Sequence, residues 1–324
     1  MRRRAFIAGL GGALALPRVA RAQDKKPVVG FLRSTPAAPF AHIVTAFRDA
    51  LAKAGFIEGQ NVVIEQRWAD NRMERLPELA RELVQRGAQV LVGNGPAMQA
   101  AKTVTTMVPI VFVFGDDPVE SGLVDSMSRP SGNVTGITFF GGGHLDAKRM
   151  DLLRDVAPRA TIIAVLVDSN YAVAMRQIPD MESAARMLGQ RLVTIGVRKE
   201  SELEGAFEKA MQAGAGAMLV SGGPLITSHR QRVVALAAQH QLPAIYDLRE
   251  FVQAGGLMSY SASLAGAYRH AGAYAARILK GDRPANLPVL QATQIELTIN
   301  LKTAKALGVT IPLPLQAAAD EVID

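Results

Sequence analysis

Short polar clusters punctuate this sequence where apolar runs end, and they are the places where chemistry would be done. They are Ser34-Thr35-Pro36, Asn94-Gly95-Pro96, Gly115-Asp116-Asp117-Pro118, Phe139-Phe140, Asp168-Ser169-Asn170-Tyr171, Ser221-Gly222-Gly223-Pro224 and Tyr246-Asp247. Hydroxyls, amides and carboxylates orient a small ligand by hydrogen bonds, and aromatic rings cover its apolar part. The same residue types also build turns and helix caps, so the set carries more weight than any member. The candidates for ligand contact are Ser34, Thr35, Asn94, Gly95, Asp116, Phe139, Asn170, Tyr171, Ser221, Gly222, Tyr246 and Asp247. Asp116-Asp117 has the composition of a general acid/base pair. The favoured alternative is a loop entering a helix, with one carboxylate at an N-cap and one facing a cleft. Trp68 is expected to pack rather than to carry a ligand, and Glu250 with Arg249 reads as a local ion pair or as solvated charge.

Enzyme signatures are absent from the sequence. It holds no G-x-S-x-G elbow and no Walker loop, since Gly95-Pro96-Ala97-Met98 lacks the Lys-Ser/Thr that a phosphate loop needs. Gly141-Gly142-Gly143 does not fit the dinucleotide pattern. His42, His144, His229, His240 and His270 form no i, i+4 pair, and there is no cysteine. No metal, cofactor or catalytic residue is therefore assigned.

The elements that must position the clusters alternate between short apolar runs and amphipathic stretches. Strands are expected at 28–33, 62–68, 90–93 and 110–114, with helices at 40–54, 73–86 and 98–105 between them. Strands joined through helices imply parallel pairing, and unbroken apolar runs such as 110–114 imply a sheet covered on both faces. After the turn cluster Pro130-Ser131-Gly132-Asn133 the alternation restarts. Strands are expected at 134–139, 162–167, 191–195, 217–220 and 244–246, with helices at 145–156, 172–188, 200–213 and 226–239. The last part adds strands at 255–260 and 294–299 and helices at 262–279 and 301–307. The fold class is α/β, with two doubly wound lobes joined by a multi-strand hinge. Residues 27–137 plus 256–290 are assigned to lobe 1 and residues 138–255 plus 291–324 to lobe 2. In open α/β sheets ligands sit beyond the carboxyl ends of the strands, where the polar clusters lie. Two lobes hinged over a cleft are a ligand-capture device.

Residues 1–22 read as an address. Arg2, Arg3 and Arg4 precede an apolar run from Ala5 to Leu16, and Ala20-Arg21-Ala22 has the small-x-small form of a cleavage site. The run is shorter than the roughly 20 residues that span a bilayer. Arg3-Arg4-Ala5-Phe6-Ile7 also fits a twin-arginine signal. Removing this segment takes away five arginines and no acid, so the formal charge falls from +7 to about +2. The basic balance belongs to the address, and nucleic acid is not expected as a partner. About 302 residues remain, enough for two ordinary domains. No later segment is apolar for long enough to span a membrane, so a soluble, exported, monomeric protein is expected.

Longer stretches carry a family resemblance. They are Gly30-Phe31-Leu32-Arg33-Ser34, Glu58-Gly59-Gln60-Asn61-Val62, Arg75-Leu76-Pro77-Glu78-Leu79-Ala80, Asp117-Pro118-Val119 and the turn from Arg129 to Gly136. Leu242-Pro243-Ala244-Ile245-Tyr246, Arg249-Glu250-Phe251, the run from Ala254 to Tyr260 and the run from Ile299 to Gly308 continue it in order. From Pro27 to Ile323 the chain resembles ABC-transporter substrate-binding proteins of the tryptophan/tyrosine type. The resemblance implies a type I periplasmic-binding-protein fold with Rossmann-like lobes, a periplasmic location, and delivery of a small molecule, an amino acid among the candidates, to an ABC permease in the inner membrane. Carried over by position, it points to Ser34, Asn94, Gly95, Asp116, Phe139, Asn170, Ser221 and Tyr246 at the ligand. One departure stands out. Similar members carry a Ser-Pro-Asp-Pro-like stretch where this chain reads Ser221-Gly222-Gly223-Pro224. An acid there would pair a ligand ammonium, and an unpaired buried ammonium is costly. An amino-acid ligand would then need Asp116 or Asp247. A ligand sensor presenting its bound state to a membrane receptor, and an exported enzyme using Asp116 and Asp117, are the alternative readings. A repressor is disfavoured, because no helix-turn-helix precedes the first lobe.

Overall fold

The structure is a computed structural model that describes residues 26–130, 132–139, 144–292 and 295–324. The address at 1–22 and the glycine run 141–143 lie outside the described residues. The first run comprises β1 (Val28–Arg33), α1 (Ala41–Lys53), β2 (Val63–Trp68), α2 (Leu76–Gln85), β3 (Ala88–Asn94), α3 (Gly95–Val104), β4 (Ile110–Phe114) and β5 (Val134–Thr138). The second comprises α4 (His144–Val156), β6 (Ile162–Asp168), α5 (Ala172–Met187), β7 (Arg191–Val197), α6 (Leu203–Gln212), β8 (Ala217–Val220), α7 (Pro224–Ser228), α8 (Arg230–Gln239), β9 (Ala244–Tyr246), α9 (Arg249–Gln253) and β10 (Met258–Ala262). The chain closes with α10 (Leu264–Leu279), β11 (Leu290–Gln291), β12 (Ile295–Asn300), α11 (Leu301–Ala306), α12 (Leu313–Ala317) and β13 (Glu321–Ile323).

The strands form two sheets, ordered β11-β5-β4-β3-β1-β2 and β13-β12-β10-β9-β8-β6-β7. All pairings are parallel except β10 with β12. Period-two alternation sends successive apolar residues into different layers. In β6, Ala164 and Leu166 pack with Phe207 and Val233 on one face, while Ile163, Val165 and Val167 pack with Leu153 and Met181 on the other. In β4, Val111 and Val113 face one layer and Ile110, Phe112 and Phe114 the opposite one. That two-sided burial is why these strands read as unbroken apolar runs.

α1 and α10 lie side by side on the first sheet, and Gly272 permits their approach: a Cβ there would sit 2.7 Å from the Phe47 carbonyl oxygen. Beneath them Phe31 meets Phe47 at 5.5 Å between ring centroids, and Trp68 and Tyr268 at 5.7 Å each. Offset ring contacts of this kind add roughly 0.5–1.5 kcal/mol each beyond area burial. Trp68 is thus a packing residue.

The chain passes between the lobes three times among the described elements: from β5 to α4, from β10 to α10 and from β11 to β12. One boundary differs from expectation. The segment 256–290 does not belong wholly to the first lobe, because β10 pairs with β9 (Met258 opposite Ile245) and with β12 (Met258 opposite Ile299) in the second sheet. Only at Ser263, whose Oγ accepts from Gly266 N and caps α10, does the chain return to the first lobe. The helix expected at 226–239 is split at His229 into α7 and α8. The short α9, α12, β11 and β13 fall outside the expected elements.

Candidate ligand-binding cleft

The carboxyl ends of the two sheets face each other across a cavity of about 130 Å³. For scale, an engineered cavity of about 150 Å³ accepts benzene. The room is that of a small aromatic solute.

The first lobe supplies a fixed cation. Arg33, the last residue of β1, is only 4% exposed. Its Nε donates to Thr35 Oγ1 at 3.1 Å, and its Nη1 donates to Tyr268 Oη. The guanidinium carbon lies 4.2 Å from the Phe40 ring centroid and 5.4 Å from that of Tyr268, so both rings stabilise the charge. Burial lowers the Arg33 pKa from its ordinary value and the Tyr268 bond offsets part of that, but the group stays cationic. No carboxylate among the described residues forms an ion pair with it. Phe114, Phe139, Tyr171 and Tyr268 add aromatic wall.

The second lobe supplies acids. Arg149 on α4 donates from Nη1 to Asp146 Oδ1 at 2.5 Å and from Nε to the Tyr260 carbonyl at 2.9 Å. Asp247, just after β9, also lines the cavity. Its Oδ1 is buried without a hydrogen-bond partner. Burial pushes the Asp247 carboxyl up to about 7, with Arg149 pulling it down and Asp146 and Glu250 raising it. Gly222 makes room for this carboxylate, since a Cβ there would overlap Asp247 Oδ2.

Two side-chain pairs among the described residues tie the lobes together around the cleft. Arg176 on α5 pairs with Asp116 after β4. His42 on α1 meets Glu250 on α9 at 2.9 Å, while Ser228 Oγ, 3.3 Å from Asn71 Oδ1, gives its proton to the Pro224 carbonyl at 2.6 Å. Burial works against the Glu250 charge, yet the His42 bond holds its carboxyl below the ordinary range.

Of the residues expected at a ligand, the structure brings Thr35, Asn94, Gly95, Phe139, Tyr171, Ser221, Gly222 and Asp247 to the cavity wall. Four are placed elsewhere. Ser34 is turned into the lobe, where its Oγ accepts from Asn94 Nδ2 at 2.7 Å and its backbone N donates to Asn94 Oδ1. Asp116 is taken by Arg176 rather than facing the cavity. Asn170 donates to the Arg198 carbonyl on the outer side of its loop. Tyr246 lies inside the second lobe, stacked on Phe251 at 4.8 Å. Asp117 Oδ1 accepts from Val119 N and Glu120 N in a turn, and the helix expected to follow it does not form. Glu250 and Arg249 do not pair with each other: Arg249 reaches Glu321 at 2.7 Å.

Sequence reasoning missed Arg33, Phe40, Asp146, Arg149 and Tyr268. Reading strand ends one position earlier would have caught Arg33. The other four lie outside the strand-end loops, three of them on helices, and no local pattern marks a residue there as facing a cleft. Asp168, by contrast, is occupied by structure: its carboxylate accepts from Asn170 N and Leu225 N at 3.0 Å each. A Cβ on Gly223 would overlap that Asp168 side chain, which is the physical reason for glycine here.

Comparison with known proteins bears on the fold and the family. A conserved domain protein from Vibrio cholerae superposes with a TM-score of 0.85 at 24% identity, over 92% of this chain and 100% of that one. An ABC domain from Streptococcus pneumonia in complex with L-Trp gives 0.84 at 24% identity, with the same coverage of both chains. Both likenesses show the fold, a type I periplasmic-binding-protein architecture. A tyrosine-binding protein of Clostridioides difficile is 27% identical over 262 residues, 81% of this chain and 75% of that protein. The family model for ABC transporter substrate binding proteins matches residues 35–323. The chain belongs to the ABC transporter substrate-binding protein family, whose members bind small-molecule solutes for transport.

Proposed function

We propose that the solute is an amino acid with an aromatic side chain, captured outside the cytoplasm and delivered to the permease of an ABC importer without chemical change. The observation that carries this reading is Arg33, a buried cation without a carboxylate partner, set among aromatic rings in a ring-sized cleft. A ligand carboxylate completes the bidentate hydrogen bonding that guanidinium favours. The tyrosine-binding relative and the L-Trp complex of a fold neighbour support the same class.

Calorimetric titration of the purified protein with L-tryptophan, L-tyrosine, L-phenylalanine, L-leucine and adenine tests the reading. At least one aromatic amino acid is expected to bind more tightly than leucine and adenine. Binding of adenine or leucine in preference to all three aromatic acids overturns it. The N-terminal sequence of protein recovered from the periplasm is expected to begin at Gln23, and a start at Met1 would refute export by cleavage.

A further inference from the structure

Charge accounting in the cleft singles out one acid. Asp146 is held by Arg149 at 2.5 Å, Asp116 by Arg176, Glu250 by His42 at 2.9 Å, and Asp168 by two backbone N–H groups. Among the described residues, Asp247 alone lines the cavity with a buried carboxylate oxygen that has no partner. A buried acceptor left unpaired is costly, and a structure retains one where a ligand completes it. The clearance at Gly222 points the same way, because any side chain there would drive the Asp247 carboxylate from its place.

We propose that Asp247 is the specificity-determining counter-ion of the cleft, accepting the ligand's ammonium group. The inference rests on the amino-acid reading above and assigns the half of the ligand that Arg33 does not hold. It also couples capture to a proton. The charged and titratable groups that act on Asp247 are Arg149 and Asp146 on α4, Glu250 on α9 and Tyr171 at the start of α5. Arg149 and the Asp247 backbone N–H favour its ionised form, and Asp146 already occupies that guanidinium. With its carboxyl raised to about 7, Asp247 holds a proton in part of the ligand-free population at neutral pH. An arriving ammonium stabilises the carboxylate, so that proton passes to solvent as the ion pair forms.

The test compares L-tryptophan with indole-3-propionate, the same molecule without its amine, on wild type, Asp247→Asn and Asp247→Ser. Titration in two buffers of different ionisation enthalpy at pH 6.5 reads proton release, and circular dichroism melts check that each variant folds. Wild type is expected to prefer L-tryptophan by about 30-fold or more, the scale of a buried charge pair. Both variants should lose most of that preference while keeping indole-3-propionate, and their proton release should vanish. If the variants keep the wild-type preference, the counter-ion role is overturned and the amino-acid reading stands. If wild type prefers indole-3-propionate, or binds neither probe nor any other amino acid, both fall together.

Discussion

Replacing Arg33 by methionine removes the charge and keeps most of the side-chain volume. In the folded, ligand-free protein the effects oppose one another. Loss of the ring contacts at 4.2 and 5.4 Å costs roughly 0.5–2 kcal/mol. The Tyr268 hydroxyl loses its partner, at a cost of about 1–3 kcal/mol if nothing replaces it. Against these stands the penalty of holding a guanidinium out of water, which is several kcal/mol. The melting temperature of Arg33→Met should therefore stay within a few degrees of wild type. Ligand binding has no such offset. Truncating one side of a buried charge pair costs about 2–5 kcal/mol, so Kd for an aromatic amino acid should rise from about 30-fold to several thousand-fold. Arg33→Lys keeps the charge but not the fork, and should fall between. Calorimetric titration with L-tryptophan or L-tyrosine, beside thermal melts, separates affinity from folding. If Arg33→Met folds and binds within about threefold of wild type, Arg33 is not the anion-holding group and the orientation of the ligand inferred here is wrong.

Three further outcomes follow from named contacts. The folded-state carboxyl of Asp247 lies above its unfolded value, so the native state holds the proton longer. Ligand-free stability, read by urea titration, should decline as pH rises from about 4 to about 7 and then level, by no more than about 4 kcal/mol from this group, and Asp247→Asn should flatten that part of the profile. Arg176→Ala breaks a bridge whose arginine side chain is 50% exposed but leaves Asp116, 6% exposed, without its partner, so its cost is about 1–3 kcal/mol; ligand release in a stopped-flow experiment should quicken by about fivefold to 150-fold. Gly223→Asp adds an acid beside the cleft but drives a Cβ into Asp168, which caps α7 through Leu225 N. It should weaken amino-acid binding by about tenfold or more and lower the melting temperature, as overpacking does; tighter binding would show that Asp168 can yield.

The division into two sheets was legible because fully buried parallel strands cannot hide. Ile110–Phe114 and Ile162–Asp168 are apolar on both faces and read as strands without help. The ownership of β10 was not legible. Its residues, Met258–Ala262, carry alternation suited to either lobe, and only the pairing with Ile245 and Ile299 decides the sheet. At the cleft, loop position after a strand brings Thr35, Asn94, Ser221 and Asp247 to the cavity wall, because topology forces those loops to one end of the sheet. Ser34, Asn170 and Tyr246 lie off that wall, since successive residues of a strand end point in opposite directions and a single register step decides between cavity and core. Arg149 and Tyr268 depend on how α4 and α10 pack, which no local pattern encodes.

The placement of the two charged poles links recognition to closure. Arg33 ends β1 in the first lobe, and Asp247 follows β9 in the second. An amino acid that gives its carboxylate to one and its ammonium to the other is a bridge between lobes. A ligand shifts a conformational equilibrium only by its difference in affinity for the two states, and each pole completed across the cleft enlarges that difference. If each pole contributes about 2 kcal/mol, losing one lowers the closed-to-open ratio about 30-fold. Indole-3-propionate completes the Arg33 pole alone, leaving the second lobe without its cation. Small-angle X-ray scattering at saturating ligand should show a smaller radius of gyration with L-tryptophan than with indole-3-propionate. Equal contraction by both would mean that closure is driven by the ring and the carboxylate, and that Asp247 selects the ligand without helping to shut the cleft.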